Sequence, residues 1–277
     1  MKQYLKVVTD VLLLGEPRQD RTGTGTSSIF DTRAKWDLRL GFPAVTTKKL
    51  AWRSVVGELL WFLSGSTNIY DLEERTYGTR GEKRTIWHPN YEEQAVALGY
   101  EDGELGPVYG HQWRDFGGVD QILQLFDSII ISPHGRRHLV SAWNPADMPK
   151  MALPPCHYSF QCYVSNDGHI DLKWHQRSVD VFLGLPFNIA SYALLLHILG
   201  QITGYKPRYL TFDGGDTHIY NDHMEQISEQ MKRVPYDLPK LEMPTFCNLE
   251  TLAELSAKDF NLVGYQHHPA LKGKMSA

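Results

Sequence analysis

The chain has 277 residues, of which 42% are hydrophobic, so it is long enough to bury a substantial core. Its formal net charge of −4 comes from interspersed acids and bases, without a basic stripe or a polybasic segment. This pattern disfavours nucleic acid and a membrane as partners, so an anionic ligand must be bound by local groups. Three cysteines without a Cys-x-x-Cys pair predict neither a disulfide framework nor a metal site, and they favour a cytoplasmic protein.

Residues 1–277 are predicted to form a single domain, because no linker or repeat divides the chain. Helical patterns occur in chain order at residues 2–14, 50–63, 120–130, 189–203 and 222–233. Extended segments are predicted at residues 34–38, 138–143, 158–164 and 169–175. The sequence Asn166-Asp167-Gly168 predicts a hairpin turn, because these residue types tolerate positive φ.

This mixture of helices with a hairpin and further strands predicts an α+β fold with a sheet covered by helices. In the second arm of the hairpin, apolar and polar residues alternate from Ile170 to His175, which predicts one buried and one polar face. A parallel doubly wound fold is disfavoured, because no glycine fingerprint follows a first strand.

Cys156 is the strongest candidate nucleophile, because it follows Pro154-Pro155, which fix φ and stiffen the loop. The neighbouring His157 and the later Arg177 are expected to supply positive charge that favours the thiolate. The alternative is a small buried apolar cysteine, a role that many cysteines fill.

Several basic residues are candidates for binding a phosphate. Arg177 and Ser178 combine a guanidinium fork with a hydroxyl, a pair that suits a phosphate monoester. Arg21 lies in a glycine-containing loop that is not a P-loop, and Arg136-Arg137 precede a predicted strand. Each of these could also be a solvated surface residue.

Polar residues further along the chain could read a base and a sugar. Asn188 opens the predicted helix at 189–203, so it could cap that helix or use its amide to recognise uracil. His218 and Tyr220 follow the glycine turn predicted at Gly214-Gly215. On an extended backbone they would point the same way, toward a sugar hydroxyl, although a structural role for His218 remains the alternative.

Glu58 lies in an otherwise apolar segment, so its carboxylate must be paired, hydrated or catalytic. Trp87 and Tyr109 stand next to loop-forming residues. They could pack in the core or stack on a planar ligand.

Taken together, these segments resemble the thymidylate synthase family over nearly the whole chain. The motifs that carry the resemblance are Phe42-Pro43-Ala44-Val45-Thr46-Thr47-Lys48-Lys49, Glu58-Leu59-Leu60-Trp61-Phe62-Leu63, Pro155-Cys156-His157, Gln176-Arg177-Ser178, Asp180-Val181-Phe182-Leu183-Gly184-Leu185-Pro186-Phe187-Asn188 and Gly215-Asp216-Thr217-His218-Ile219-Tyr220.

The resemblance implies methylation of dUMP to dTMP by 5,10-methylenetetrahydrofolate, a co-substrate that leaves as dihydrofolate, without a metal. It also implies a mixed β-sheet, a homodimer whose sheets pack face to face, and functional coupling to dihydrofolate reductase. The catalytic residues implied are Cys156, which adds to C6 of uracil, with Glu58, Tyr109, Asn188 and Arg177.

The same resemblance implies the ligand contacts. The dUMP-binding residues would be Arg21, Gln176, Arg177, Ser178, Asn188, His218 and Tyr220, with Arg136 and Arg137 reaching in from the partner subunit. The folate-binding residues would be Ile86, Trp87, Asp180, Gly184, Phe187 and the terminal residue Ala277, which helps to exclude water from the closed site.

Two departures from the family pattern keep a second reaction open. His88 stands where an aspartate is expected and His175 where a tyrosine is usual, so either could change the water network near the pterin. The alternative function is a deoxyuridylate hydroxymethylase, or a deoxycytidylate hydroxymethylase, in which water replaces hydride.

A Cys-His hydrolase is disfavoured, because the adjacent residues Cys156 and His157 would point to opposite faces of a strand. A protein that only binds nucleotides or RNA is disfavoured by the nucleophile and by the lack of a basic stripe.

Overall fold

The structure is a computed structural model that describes residues 1–20 and 23–274. These residues form nine α-helices: α1 (Lys2–Leu14), α2 (Trp52–Ser64), α3 (Ile69–Tyr77), α4 (His88–Asn90), α5 (Tyr109–Arg114), α6 (Gln121–Ile131), α7 (Gly184–Thr203), α8 (Met224–Met231) and α9 (Leu249–Ala253). They also form eight strands: β1 (Glu16–Arg18), β2 (Thr26–Asp37), β3 (Leu139–Ser141), β4 (His157–Val164), β5 (His169–Asp180), β6 (Lys206–Tyr220), β7 (Lys240–Glu242) and β8 (Asn261–Val263). Short 3₁₀ and π turns connect several of these elements.

Six strands form one mixed sheet in the order β1-β2-β6-β5-β4-β3. Strands β5 and β6 pair in parallel, whereas the other neighbours in this sheet pair antiparallel. Strands β7 and β8 form a separate antiparallel pair. The predicted α+β class and the mixed sheet implied by the family resemblance are therefore confirmed.

Helix α7 forms the centre of the core, where it packs on β5, β6 and α2. Most of its side chains are buried, including Leu194, Leu196 and Ile198, none of which has measurable exposure. Its length and apolar composition would suit a membrane-crossing helix, but 78% of the apolar window is buried inside the fold. Its apolar surface is thus used for internal packing.

The five predicted helices are present, but the boundary at α7 is wrong. The helix begins at Gly184, five residues before the predicted start, so Asn188 lies in its second turn and is not the N-cap. Pro186 is accepted there because the first-turn N–H groups have no partner within the helix. The predicted end is confirmed, since Gly204 has a left-handed φ of 80°.

Strands β2, β4 and β5 are longer than predicted, whereas β3 is shorter than the predicted 138–143, and the extension carries site residues onto the sheet. Strand β5 continues to Asp180 and β2 begins at Thr26. The glycine turn predicted at Gly214-Gly215 is wrong, because both residues lie within β6. A Cβ on Gly215 would lie 2.9 Å from the carbonyl oxygen of Arg177, so this glycine permits close strand packing.

The sheet face opposite α7 is open. The predicted alternation in β5 is confirmed, because Ile170, Leu172 and Trp174 are buried whereas the intervening residues are partly exposed. On this open face, Phe30 is 80% exposed and Tyr163 is 63% exposed. A cavity of about 510 Å³ lies here, lined in part by Lys35, Arg136, Lys173 and Tyr209. The open face thus combines apolar and charged groups.

Candidate functional site

The parallel pair β5 and β6 aligns the polar residues of the two strands. Ser178 lies opposite Asp216, and Asp180 lies opposite His218. Residues that are about forty positions apart in sequence therefore lie side by side at the end of the sheet.

Cys156 lies immediately before β4, on a loop that Arg177 fixes to β5. The Arg177 backbone N–H donates to the Cys156 carbonyl oxygen at 2.8 Å. Its guanidinium Nε and Nη2 donate to the carbonyl oxygens of Pro155 and Pro154 at 2.8 and 3.1 Å. The stiff loop predicted from the two prolines is thus also fixed by hydrogen bonds, which hold the thiol in place.

The thiol is not activated as predicted. Burial raises the pKa of Cys156, and the charge of Arg177 only partly opposes this effect. His157 supplies no positive charge, because burial lowers its pKa to about 3. Its Nδ1 forms a hydrogen bond with the Tyr192 hydroxyl at 2.9 Å. The predicted contribution of His157 to a thiolate is therefore wrong, whereas Arg177 acts in the predicted direction.

Tyr109 lies against the nucleophile. Its hydroxyl oxygen accepts the backbone N–H of Cys156 at 2.7 Å, and its ring stacks on His157 with centroids 4.2 Å apart. Burial raises the pKa of Tyr109 well above its usual range, with a further contribution from Cys156. The phenol therefore keeps its proton, and its hydroxyl hydrogen is available to a ligand or a water molecule.

Glu58 extends from the buried face of α2 and is paired with Trp87. Its Oε1 accepts the indole N–H of Trp87 at 2.7 Å. Burial raises the pKa of Glu58 to about 7, although this hydrogen bond acts in the opposite direction. The carboxyl can thus exchange a proton near neutral pH. Ile86, which precedes the tryptophan, is 43% exposed.

Asn188 is held in a fixed orientation by Gln176. The Gln176 Nε2 donates to Asn188 Oδ1 at 3.2 Å and to the Ser178 carbonyl oxygen at 3.0 Å. Trp174 fixes Gln176 in turn, by donating its indole N–H to Oε1 at 3.2 Å. A carbonyl oxygen has a second lone pair, so Asn188 can still present both an acceptor and an N–H donor. That pattern matches the O4 and N3–H edge of uracil.

His218 and Tyr220 lie on the same strand, β6, with ring centroids 5.1 Å apart. Their backbone is extended, which is the condition under which both side chains point the same way. Asp216 Oδ1 lies 2.9 Å from His218 Nδ1 and 2.8 Å from the donating Ser28 hydroxyl. Because a carboxylate only accepts, the His218 proton lies on Nδ1, and Nε2 is left as an acceptor in the neutral ring.

Asp180 and Gly184 lie where β5 leads into α7. Asp180 Oδ1 accepts the backbone N–H groups of Phe182 and Leu183 at 2.8 and 3.1 Å. Its Oδ2 receives no hydrogen bond from residues 1–20 or 23–274. Lys48 donates to the Phe182 carbonyl, and burial lowers the pKa of Lys48 to about 8. Phe187 is partly buried against the core, one helical turn after Gly184.

Four predicted residues need separate mention: two lie outside the described residues, and two lie away from Cys156. Arg21 and Ala277 lie outside the described residues. Arg136 and Arg137 precede β3, which runs antiparallel to β4, so they lie near the opposite end of β4 from Cys156. Seven strand residues span about 23 Å, so these arginines do not reach the thiol of their own chain.

The two departures from the family pattern have structural explanations. His88 Nδ1 accepts the backbone N–H of Thr85 at 2.9 Å, a contact that a carboxylate oxygen could also make. Burial lowers the pKa of His88, which favours the neutral acceptor. His175 Nδ1 lies 3.2 Å from Asp213 on the open face of the sheet. Neither contact introduces a new acid or base beside Cys156.

Three residues of this region were not among the predicted site residues: Asp216, Tyr192 and Lys48. Asp216 could have been inferred from its position two residues before His218, since strand alternation puts both on one face. Tyr192 carried no local signal, because its contact with His157 depends on how α7 packs against β4. Among the described residues, no group of three His, Cys, Asp or Glu side chains is arranged to hold a metal ion.

Comparison with known proteins gives the same family from sequence and from structure. The family model for thymidylate synthase matches residues 2–277. The chain is 70% identical to a probable thymidylate synthase of Escherichia phage T5, and 51% identical to the thymidylate synthase of Enterobacteria phage T4. It is 43% identical to the thymidylate synthase of Mesoplasma florum, and all three alignments cover 100% of both chains.

The crystal structure of thymidylate synthase from T4 phage superposes with a TM-score of 0.95 and covers 100% of both chains at 51% identity. These relatives are named as synthases, which gives the hydroxymethylase alternative no support. Identity at this level over the full length agrees with the close superposition of the two folds. The chain belongs to the thymidylate synthase family.

Proposed function

We propose that this chain converts dUMP to dTMP with 5,10-methylenetetrahydrofolate, and that Cys156 is the nucleophile. Membership of the family makes the chain a folate-dependent methyltransferase. The observation that carries the assignment of residues is the geometry around Cys156, which lies between the Tyr109 hydroxyl and the backbone of Arg177. Gln176 on β5 fixes the amide of Asn188 on α7, and this amide has the hydrogen-bond pattern that matches uracil.

Cys156 would add to C6 of uracil, which makes C5 nucleophilic toward the one-carbon unit. Burial raises the pKa of the thiol, and Arg177 opposes this effect, so Arg177 would stabilise the Cys156 thiolate that attacks C6. Asn188 binds the ring edge, where negative charge develops on O4. A hydrogen-bond donor at that oxygen favours the addition step.

Glu58 and Tyr109 would move protons after the addition. Glu58 has a pKa of about 7, so both of its protonation states are populated near neutrality. The proton on C5 must be removed before the methylene group can accept hydride. Tyr109, which keeps its own proton, would orient a water molecule that accepts the C5 proton, and Glu58 would organise that water network.

The remaining groups would bind the two substrates. Arg21, Arg177 and Ser178 would hold the phosphate, and His218 Nε2 with Tyr220 would hold the 3′-hydroxyl of the sugar. Asp180 Oδ2 is available to a pterin N–H. A Cβ at Gly184 would occupy the space beside it, at ordinary contact distances from Asp180 and Asn188, so the glycine leaves that space open. Ile86, Trp87 and Phe187 would pack on the folate, with Ala277 completing the closed site. Folate supplies the one-carbon unit and the hydride.

The dimer would complete the phosphate site. The open face of the sheet carries Phe30 and Tyr163, and side-chain alternation places Arg177 on the same face as Lys173 and His175. A second copy packed on this face would bring its Arg136 and Arg137 toward the phosphate. We also propose that residues 1–277 act as one catalytic domain in the cytoplasm, coupled to a dihydrofolate reductase that consumes the dihydrofolate.

The reaction is tested with purified protein, dUMP and 5,10-methylenetetrahydrofolate, by following dihydrofolate through its ultraviolet absorbance. Formation of dTMP and dihydrofolate in equal amounts is expected. Consumption of dUMP without dihydrofolate would refute hydride transfer. Cys156→Ala should abolish turnover but keep dUMP binding, and near wild-type turnover in that variant would remove Cys156 from the nucleophile role.

The arginine assignment is tested by mixing two inactive variants, Cys156→Ala and the double variant Arg136→Ala/Arg137→Ala, under conditions that exchange subunits. A mixed dimer has one site with an intact thiol and with arginines from the partner, so about a quarter of wild-type activity should return. If the arginines serve their own subunit, mixing restores nothing.

A further inference from the structure

Residues 78–87, named here the 78–87 loop, connect α3 to α4 without regular secondary structure of their own. The side chains of residues 80–84 and of Ile86 are exposed, whereas that of Trp87 is buried. A segment whose side chains lie in solvent gains little from apolar packing. The path of this loop must therefore be set by hydrogen bonds.

Glu73 on α3 receives four of these hydrogen bonds. Its Oε1 accepts the backbone N–H groups of Glu82 and Lys83 and the Thr79 hydroxyl, each at 2.8 Å. Its Oε2 accepts the Gly81 N–H at 2.7 Å. Three consecutive N–H groups that converge on one anion form an anion-binding nest. The anion in this nest is a carboxylate of the same chain, and it has no exposed surface.

The carboxylate of Glu73 is charged at neutral pH. Burial raises its pKa, but the hydrogen bonds from Glu82, Lys83, Thr79 and Gly81 together lower it below the ordinary value. A buried charge that loses its donors is costly. The loop is therefore most stable in the position in which all four donors reach the carboxylate.

The ion pairs of the loop lie at the surface. Arg80 pairs with Asp71, and Arg84 pairs with Glu92 at 2.6 Å, but all four side chains are substantially exposed. Exposed ion pairs contribute little to stability, because water screens them. The buried carboxylate of Glu73 is thus the main contact that fixes the first part of the loop.

The last part of the loop is a turn that carries the residues assigned to the folate. The Thr85 N–H donates to His88 Nδ1 at 2.9 Å, and the Trp87 indole N–H donates to Glu58 at 2.7 Å. Ile86 lies within this turn. Arg84 alone separates the turn from the nest formed by residues 81–83, so a shift of the nest also shifts the turn.

We propose that Glu73 is a positioning residue for the folate, because it holds the 78–87 loop on α3 and thereby sets where Ile86 and Trp87 lie. The inference rests on the proposed function, in which these two residues pack on the folate. With the carboxylate in place, the docked loop is formed before the ligand binds, so binding does not have to order it. Without the carboxylate, the docked loop is only partly populated, and the apparent affinity falls by that fraction.

Glu73→Gln removes the charge and keeps the size of the side chain. Its amide can accept through one oxygen only, so its nitrogen must face either the Gly81 N–H or the donors at Oε1. Glu74→Gln is the matched control at the next residue. It makes the same substitution at an exposed carboxylate, which lies 3.6 Å from Arg80.

Steady-state kinetics separate positioning from a loss of stability. Glu73→Gln should raise the KM for 5,10-methylenetetrahydrofolate about tenfold, as expected when the docked loop falls to about a tenth of the population. The KM for dUMP and kcat should change little, and Glu74→Gln should match the wild type. A variant that was only less stable would lose active enzyme without a change in either KM. An unchanged KM for the folate in Glu73→Gln would overturn the proposal.

Hydrogen exchange followed by mass spectrometry tests the loop without folate or activity. A peptide that covers residues 81–83 should exchange about tenfold faster in Glu73→Gln, because its amides lose their acceptor, and at the wild-type rate in Glu74→Gln. Unchanged exchange in Glu73→Gln would refute the proposal. If the wild type makes no dTMP, the proposed function fails and the exchange result still stands. Ile86→Ala tests the folate contact separately, since it should raise the same KM.

If Glu73→Gln does not fold, Gly81→Val provides the test, because it changes the loop and leaves the carboxylate in place. Gly81 has a φ of 78°, which a β-branched residue rarely adopts, and a Cβ there would meet no described atom within 4 Å. The substitution should displace the loop from Glu73 and raise the KM for the folate about tenfold. Wild-type kinetics in Gly81→Val would contradict a positioning role for the nest.

Discussion

Glu58 should make the stability of the protein depend on pH. Its carboxyl is buried on α2, and its pKa in the folded protein is about 7, compared with an ordinary value of 4.5. As the pH rises between these values, the unfolded chain loses this proton and the folded chain keeps it. The folded state is therefore most favoured below the unfolded pKa, and this stability is lost as the pH rises through the folded pKa.

The size of the effect follows from the pKa difference. A rise from 4.5 to about 7 corresponds to about 3 kcal/mol at about 1.4 kcal/mol per pH unit. Glu58→Gln keeps an oxygen that can accept the Trp87 indole N–H but cannot ionise. Relative to this variant, the wild type should lose about 2–3 kcal/mol of unfolding free energy between about pH 5 and about pH 8.

Urea unfolding followed by tryptophan fluorescence measures this difference at each pH. The other acids and histidines are present in both proteins, so the comparison isolates Glu58. Glu250→Gln, at an exposed acid on α9, is the matched control for replacing a glutamate by glutamine. A constant difference between wild type and Glu58→Gln across the range would refute a pKa near 7.

Three further predictions concern binding, the loop and the sheet. Asp216→Asn should raise the KM for dUMP about tenfold, because it weakens the orientation of His218. The KM for the dUMP analogue that lacks the 3′-hydroxyl should barely change, and an equal rise in KM for both nucleotides would contradict this role. His88→Asp should keep kcat within about threefold of wild type, because either side chain can accept the N–H of Thr85, and a larger fall in steady-state assays would show that the histidine is needed. Gly215→Ala should lower the free energy of unfolding by about 1–3 kcal/mol in urea titrations, because its Cβ would meet a backbone carbonyl, and unchanged stability would refute that close contact.

The sequence predicted the elements with the strongest periodicity, and it failed where tertiary packing sets the boundary. Helix α1 matches its prediction, whereas α7 begins five residues early, because Pro186 resembles a turn signal but is also compatible with a first helical turn. Gly214 and Gly215 predict a turn but lie within a strand. A glycine needed for its backbone freedom and a glycine needed for its small size look the same in a sequence.

The family resemblance predicts most residues of the candidate site. It does not predict which of their side chains are charged. The contacts that join Cys156, Tyr109 and Arg177 bring residues from three separated segments together. Sequence reasoning assigned a charge to His157 from its place next to the thiol. Burial is a property of the folded chain, and it leaves this imidazole neutral.

Burial also divides the site into two chemical regions. On the helix side of the sheet, Glu58, Tyr109 and His157 are enclosed, so their neutral forms are favoured and Glu58 can exchange a proton near neutrality. On the open side, Arg177 is exposed, so its guanidinium can bind phosphate. Cys156 lies between these regions, where burial raises its pKa and Arg177 lowers it. The position of the thiol next to the arginine therefore opposes the effect of burial, and it allows one residue, Arg177, to serve both the thiolate and the phosphate.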